Sequence, residues 1–242
     1  MDQREFLIDS FRKLGIELSE RQCAQFLRYA SLLEEWNQVM NLTAITTFEE
    51  VVIKHFADSC APLLFPETAG LFSGRKTADI GTGAGFPGIP LKILIPDMKL
   101  TLLDSLRKRL DFLKTVCSEL ELTQVETVHA RAEDGARDPA LRERFDLCVS
   151  RAVASMPVLS EYTLPYVRRG GKLIAYKSGA AEEEVAHSTK AAALLGGDKP
   201  EVIPFVLPGT DLSRSLVLVE KIRPTPLRYP RKAGTVSRKP LG

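Results

Sequence analysis

The run Asp79-Ile80-Gly81-Thr82-Gly83-Ala84-Gly85-Phe86-Pro87-Gly88 constrains this chain more than any other stretch. Thr77–Ile80 before it reads as a short strand, and glycines without a Cβ let the backbone turn tightly at its end. Pro87 suits the first turn of a following helix, because its missing N–H would be unpaired there anyway. Lys99–Asp104 then reads as a second strand closing on an acid. Strand, glycine turn, helix and acid-tipped strand, in that order, make a unit that holds a ligand against bare backbone at the strand ends.

The alternation continues beyond this unit. Arg107–Leu122 is a predicted helix with Leu110, Leu113, Cys117 and Leu120 on one side. Val125–His129 and Phe145–Ser150 are the next strands, and a helix follows near 155–168. Gly170-Gly171 is expected to turn into strand Lys172–Lys177, with residues 180–195 helical after it. Val202–Leu207 and Ser215–Ile222 are separated by too little chain for a helix, so this last pair is expected to be antiparallel. Upstream, apolar spacing predicts helices over 2–14 and from a Ser19/Gln22 capping box onward, with a third helical stretch over 47–65. The expected fold class is α/β: a Rossmann-like, doubly wound, mostly parallel seven-stranded sheet behind a helical N-terminal region. The expected divisions are 1–72 (helical), 73–222 (the sheet domain) and 223–242 (a basic arm).

Two cofactor fingerprints overlap in the glycine turn. Gly83-x-Gly85-x-x-Gly88 fits the dinucleotide pattern, while Asp79-x-Gly81-x-Gly83-x-Gly85 fits that of S-adenosylmethionine enzymes. A pyrophosphate needs free N–H groups at the helix start, and Pro87 removes one. An acid two residues before the first glycine suits a cofactor carrying an amino group and a sulfonium. No hydride-transfer apparatus is recognisable, and the antiparallel final pair is similar to the sheet of class I methyltransferases. The reading therefore favours S-adenosylmethionine, with a nicotinamide-dependent oxidoreductase as the alternative. Gly81 and Gly83 form the expected backbone cradle, and Asp104 accepts from ribose hydroxyls. Ala132 and Glu133 after the third strand are expected at the adenine edge, although Glu133 also reads as a solvated acid at a helix start. Arg151 follows the fourth strand, where doubly wound folds collect ligands.

Charge is unevenly spread. The chain of 242 residues carries 33 basic and 31 acidic residues, yet positions 223–242 hold six basic residues and no acid. The remainder is mildly acidic, so the asymmetry points to a polyanionic partner. Arg228, Arg231 and Lys232 in this arm, and Lys177 at the end of the fifth strand, are candidate phosphate contacts. Tyr229 offers a face for a base. Arg107-Lys108-Arg109 and Arg168-Arg169 add to the surface, and six phosphate contacts to a single strand would give a salt slope of roughly −4. On this reading truncation after Ile222 weakens RNA binding and spares cofactor binding. Four cysteines and three histidines are scattered without metal-ligand spacing, so no metal site is expected. The charged N-terminus leads into no signal core, and no apolar run approaches the ~18–20 residues of a membrane span. A cytoplasmic, monomeric protein is the expectation.

Several blocks together resemble the RsmG family, also called glucose-inhibited division protein B. They are Asn41-Leu42-Thr43-Ala44-Ile45, His55 with Asp58-Ser59, Gly81 through Leu91, Arg131-Ala132-Glu133, Ser150-Arg151-Ala152 and Arg228 through Thr235. Cys60 stands where that family has leucine, Val236 where it has proline, and Arg238 where it has lysine. The resemblance implies a class I methyltransferase moving a methyl group from S-adenosylmethionine to N7 of a guanine, guanine 527, in the 530 loop of 16S ribosomal RNA. The implied partner is that RNA or the small ribosomal subunit; the alternative within methyltransferases is one acting on another RNA or a small molecule. The implied cofactor contacts are Gly81, Phe86, Ala132, Glu133 and Arg151, with Arg151 an orienter and no general base.

Overall fold

The computed structural model describes residues 2–179 and 181–241. Helix α1 (Gln3–Lys13) starts at an Asp2/Glu5 capping box and α2 (Glu20–Met40) at the expected Ser19/Gln22 box. In each, side-chain oxygens satisfy amides that have no partner inside the helix. Asn41, in the left-handed region at φ 49°, ends α2. The third helical stretch is not continuous. A short α3 (Phe48–Val51) widens into a π turn over Val52–Ala57, and a 3-10 turn Ala61–Leu64 and α4 (Pro66–Ala69) follow.

The sheet has seven strands in the order β3-β2-β1-β4-β5-β7-β6. These are β1 (Lys76–Ile80), β2 (Lys99–Asp104), β3 (Val125–His129), β4 (Phe145–Arg151), β5 (Val167–Ser178), β6 (Glu201–Val206) and β7 (Ser213–Glu220). All neighbours are parallel except β5–β7 and β6–β7, which are antiparallel as expected. The order reverses between β1 and β4, and that crevice is where the connecting loops diverge and leave room for a ligand. Gly170-Gly171 differs from expectation, lying inside a longer β5 instead of before it. Gly170 takes φ 78° and the β4–β5 register shifts beside it, so the pair makes a bulge, not a turn.

Helices cover both faces. α5 (Gly88–Leu94), α6 (Arg107–Glu119) and the N-terminal helices share one apolar core with the sheet, from Leu7, Phe11 and Phe26 to Ile89, Leu102 and Leu113. On the other face α8 (Met156–Thr163) and α9 (Glu182–Leu194) pack on Ile80, Leu103, Cys148 and Val217. The short α7 (Ala132–Gly135) follows β3, and α10 (Thr235–Arg238) lies near the C-terminus. Among the described residues no helix is long and apolar enough to cross a membrane.

The arm does not run free. Tyr229 is 8% exposed, so its face is spent in the core and not offered to a base. Val236, where the resembled family has proline, is fully buried. Arg137 Nη2 donates to the Pro230 carbonyl at 2.7 Å, and Arg142 donates to those of Tyr229 at 2.9 Å and Thr225 at 2.8 Å.

Candidate active site

The glycine turn is braced from within. Asp79 is fully buried, and its Oδ2 accepts from Thr82 Oγ1 and Gly88 N, each at 2.8 Å. It therefore ties the two ends of the turn together and does not face a cofactor amine, a correction to the sequence reading. The Gly81 and Thr82 amides donate to the Leu103 carbonyl, and Gly85 and Phe86 to that of Thr82. From the N-terminal region, Tyr29 Oη donates to the Ala84 carbonyl at 2.5 Å. A Cβ on Gly85, at φ 99°, would sit 2.6 Å from that hydroxyl, so only glycine fits.

Asp79 also gives the fold a pH dependence. Burial pushes its carboxyl up to about 7, against the hydrogen bonds from Thr82 and Gly88. A folded value raised above the unfolded one means the native state holds the proton more tightly. This contribution is full below the unfolded value and is lost as pH rises through about 7. Urea unfolding at about pH 5 and about pH 7.5 is expected to show the parent losing stability relative to Asp79→Asn as pH rises. A pH-independent difference would contradict this.

A trough of about 380 Å³ opens at the carboxyl ends of β1, β2 and β3. It is lined by Gly81, Asp104, Ala132 and Glu133 as expected, and also by Val153, Tyr162, Gly234 and Ser237. The Asp104 carboxylate is largely committed: Oδ2 accepts from Gly83 N at 3.0 Å and Arg109 Nη1 at 3.3 Å, and Oδ1 from Leu106 N at 2.9 Å. Gly83 accordingly serves the trough through Asp104 and is not among its lining residues. Glu133 is different. It is 5% exposed and lines the trough, where a ligand or water can donate to its carboxylate. A ligand with hydroxyl or amino hydrogens fits this trough, as the adenosine half of S-adenosylmethionine has.

A second cavity of about 410 Å³ adjoins the first, the two sharing Ala152, which adopts φ 56°. Here the structure gathers blocks that lie far apart in sequence: Ile45, Lys54, His55, Asp58, Arg151 and Arg214. Arg151 Nη1 donates to Asp58 Oδ2 at 2.9 Å, and Arg214 Nε to Asp58 Oδ1 at 2.8 Å. Arg151 Nη1 also reaches the Lys54 and His55 carbonyls, both at 3.4 Å, which the π turn presents to it. Its guanidinium carbon lies 5.2 Å from the centroid of the Phe86 ring, and His55 stacks on that ring at 4.4 Å. Phe86 thus acts as a floor beneath His55 and Arg151 and lies outside the trough.

His55 Nδ1 lies 3.4 Å from Arg151 Nη2 and Nε2 lies 2.8 Å from Thr43 Oγ1. A neutral ring with its hydrogen on Nε2 satisfies both, since a guanidinium only donates. Burial, reinforced by the Arg151 charge, pushes its pKa down to about 3. It is a neutral, weakly basic platform.

The remaining candidate cations divide. Lys177 Nζ is bound to the Ala154 carbonyl at 2.7 Å and to Glu184 at 2.8 Å, so it sits in the cavity wall already paired. Arg231 is clamped to the buried Glu161, with Nη2–Oε2 at 2.6 Å. Neither is a free phosphate ligand as the sequence suggested, because each neutralises an acid that sequence spacing does not reveal. Arg228 and Lys232 remain exposed. Arg214 was not foreseen: its sole signal is the β5–β7 register, which sets it opposite Ser178.

Comparison with known proteins agrees with this architecture. The O-methyltransferase TomG of Streptomyces achromogenes, solved in complex with SAM, superposes with a TM-score of 0.57 at 19% identity, covering 92% of this chain and 100% of that one. Geranyl diphosphate C-methyltransferase of Streptomyces coelicolor, solved with S-adenosyl-L-homocysteine, gives 0.53 at 10% identity over 68% and 79%. These likenesses establish a class I methyltransferase fold. A Ribosomal RNA small subunit methyltransferase G from Desulfitobacterium hafniense is 54% identical over 230 residues, which is 95% of this chain and 94% of that protein. Another, from Acetivibrio thermocellus, is 47% identical over 240 residues, 98% and 96% of the two chains. The family model described as rRNA small subunit methyltransferase G matches residues 22–213. With relatives so similar along nearly their whole length, the chain belongs to the GidB family, the rRNA small subunit methyltransferases G.

Proposed function

We propose that this protein transfers a methyl group from S-adenosylmethionine to N7 of guanine 527 in the 530 loop of 16S ribosomal RNA. The observation that carries the reading is the pair of cavities meeting at Ala152, one lined by the Glu133 carboxylate and the other holding an anchored guanidinium. Glu133 holds hydroxyl or amino hydrogens of the adenosine half, and Gly81 lets that half approach the backbone. The bound cofactor supplies an electrophilic methyl on a sulfonium.

Across Ala152, Arg151 donates to guanine O6, an acceptor next to N7. N7 carries a lone pair and no proton, so the bond to the methyl forms as the sulfur–methyl bond breaks and no base is needed. A neutral His55 with a pKa of about 3 suits such a site. Holding both reactants in line supplies ~7–11 kcal/mol of the barrier. Lys54 and Arg214 leave the cavity rim with more cationic than acidic groups, which favours a phosphodiester chain.

A dinucleotide is a poorer occupant. The amides of Gly81, Thr82, Gly83, Gly85, Phe86 and Gly88 are all taken by protein acceptors, leaving few for a pyrophosphate. Glu133→Ala is expected to weaken S-adenosylhomocysteine binding by ~10–100-fold in calorimetry, the worth of ~1.5–3 kcal/mol for a charged hydrogen bond. Unchanged affinity would place the adenosine elsewhere. For the reaction itself, methyl-labelled S-adenosylmethionine incubated with unmethylated small subunits is expected to label the 16S RNA. Absence of label with cofactor binding intact would overturn the RNA assignment.

A further inference from the structure

Part of the trough lining comes from α8 and from the C-terminal segment. Tyr162 is on α8, while Gly234 and Ser237 belong to the C-terminal segment. They line the same trough as Ala132 and Glu133, to which adenosine is assigned above.

That segment is fastened to the helix carrying Tyr162. Glu161, with a fully buried side chain, accepts from Arg231 Nε at 3.0 Å, Arg231 Nη2 at 2.6 Å and the Arg231 backbone N–H at 2.7 Å. Val236 is fully buried, and α10, which carries it, packs against α8. Ser237 itself is exposed at the trough mouth, beside Tyr162.

We propose that the C-terminal segment from Arg231 to Arg238 is a wall of the cofactor site, with Gly234 and Ser237 covering the adenosine end and the Arg231–Glu161 pair fixing its place. This rests on the S-adenosylmethionine reading and reverses the expectation that the arm serves RNA alone. The wall works in two ways. It removes water from the ligand's outer face, and it keeps the Glu133 carboxylate in a medium of low polarity where its hydrogen bonds to ligand are stronger. A bare arm held by charge to RNA would need neither a buried acid nor a buried valine.

The test compares S-adenosylhomocysteine binding by calorimetry in the full chain, in a chain ending at Lys232 and in Ser237→Trp. The shortened chain keeps Arg231 but lacks α10. Ser237→Trp fills the trough mouth from an exposed position, so it decides the question even where the shortened chain fails to fold, with melting temperature as the control. Both variants are expected to bind about tenfold or more weakly, ~1.4 kcal/mol or more, and adenosine alone is expected to weaken by the same factor. If the full chain binds and both variants match it, the wall is overturned while the cofactor reading stands. If the full chain binds neither ligand, the cofactor reading falls and the wall falls with it.

Discussion

Arg151→Met is expected to lower methyl transfer to RNA by about 10²-fold or more, with affinity for S-adenosylhomocysteine within about threefold of the parent. Methionine keeps most of the apolar stem and removes the guanidinium. Arg151 lines the second cavity and not the trough, so its loss disarms guanine placement and leaves the adenosine contacts in place. Its grip is geometric: Asp58 and two carbonyls of the π turn fix one edge, and Phe86 fixes its face. A misplacement of ~1 Å at such a position costs ~10²-fold in rate. Single-turnover transfer and calorimetry separate the two effects. A loss of cofactor affinity equal to the loss of rate would move Arg151 into the cofactor site.

Asp58→Ala is expected to destabilise the fold by ~3–5 kcal/mol in urea unfolding. The Asp58 carboxylate joins three parts of the chain: its own segment after the π turn, Arg151 at the end of β4 and Arg214 on β7. Removing it leaves two guanidinium groups facing each other, with side chains only 12% and 20% exposed. An uncompensated buried charge costs more than the intact pair contributes, because desolvation is no longer offset. Asp58→Asn, which keeps one acceptor in place, is expected to lose less. A change below about 1 kcal/mol for Asp58→Ala would mean that solvent screens the cluster.

The sequence is a good guide where the physics is local. The glycine turn, Asp104 and the strand–helix alternation announce themselves because turn chemistry and periodicity act within a few residues. The Ser19/Gln22 capping box is visible for the same reason. What depends on distant partners is not visible. The π turn at Val52–Ala57 looks like ordinary helix in sequence, since its freed carbonyls are satisfied by Arg151, nearly a hundred positions away. Asp79 reads as a ligand contact by its place before the glycines, yet its carboxylate turns inward to Thr82 and Gly88.

Charge is the least legible quantity. Lys177 and Arg231 look like free cations until Glu184 and Glu161 are brought against them by α9 and α8. The basic arm likewise reads as an RNA contact throughout, because nothing in its composition discloses the slot that buries Tyr229 and Val236. The proposed target base rests on the family resemblance, and the two adjoining cavities give such a target a physical rationale.

On the proposed function, a nucleophile needing no base meets the cofactor at Ala152. The most direct test is to methylate small ribosomal subunits with labelled S-adenosylmethionine and map the product by strand cleavage specific for N7-methylguanine. One cleavage is expected, at guanine 527 of the 530 loop, and Arg151→Met is expected to abolish it. Label that resists cleavage, or cleavage at another guanine, would contradict it.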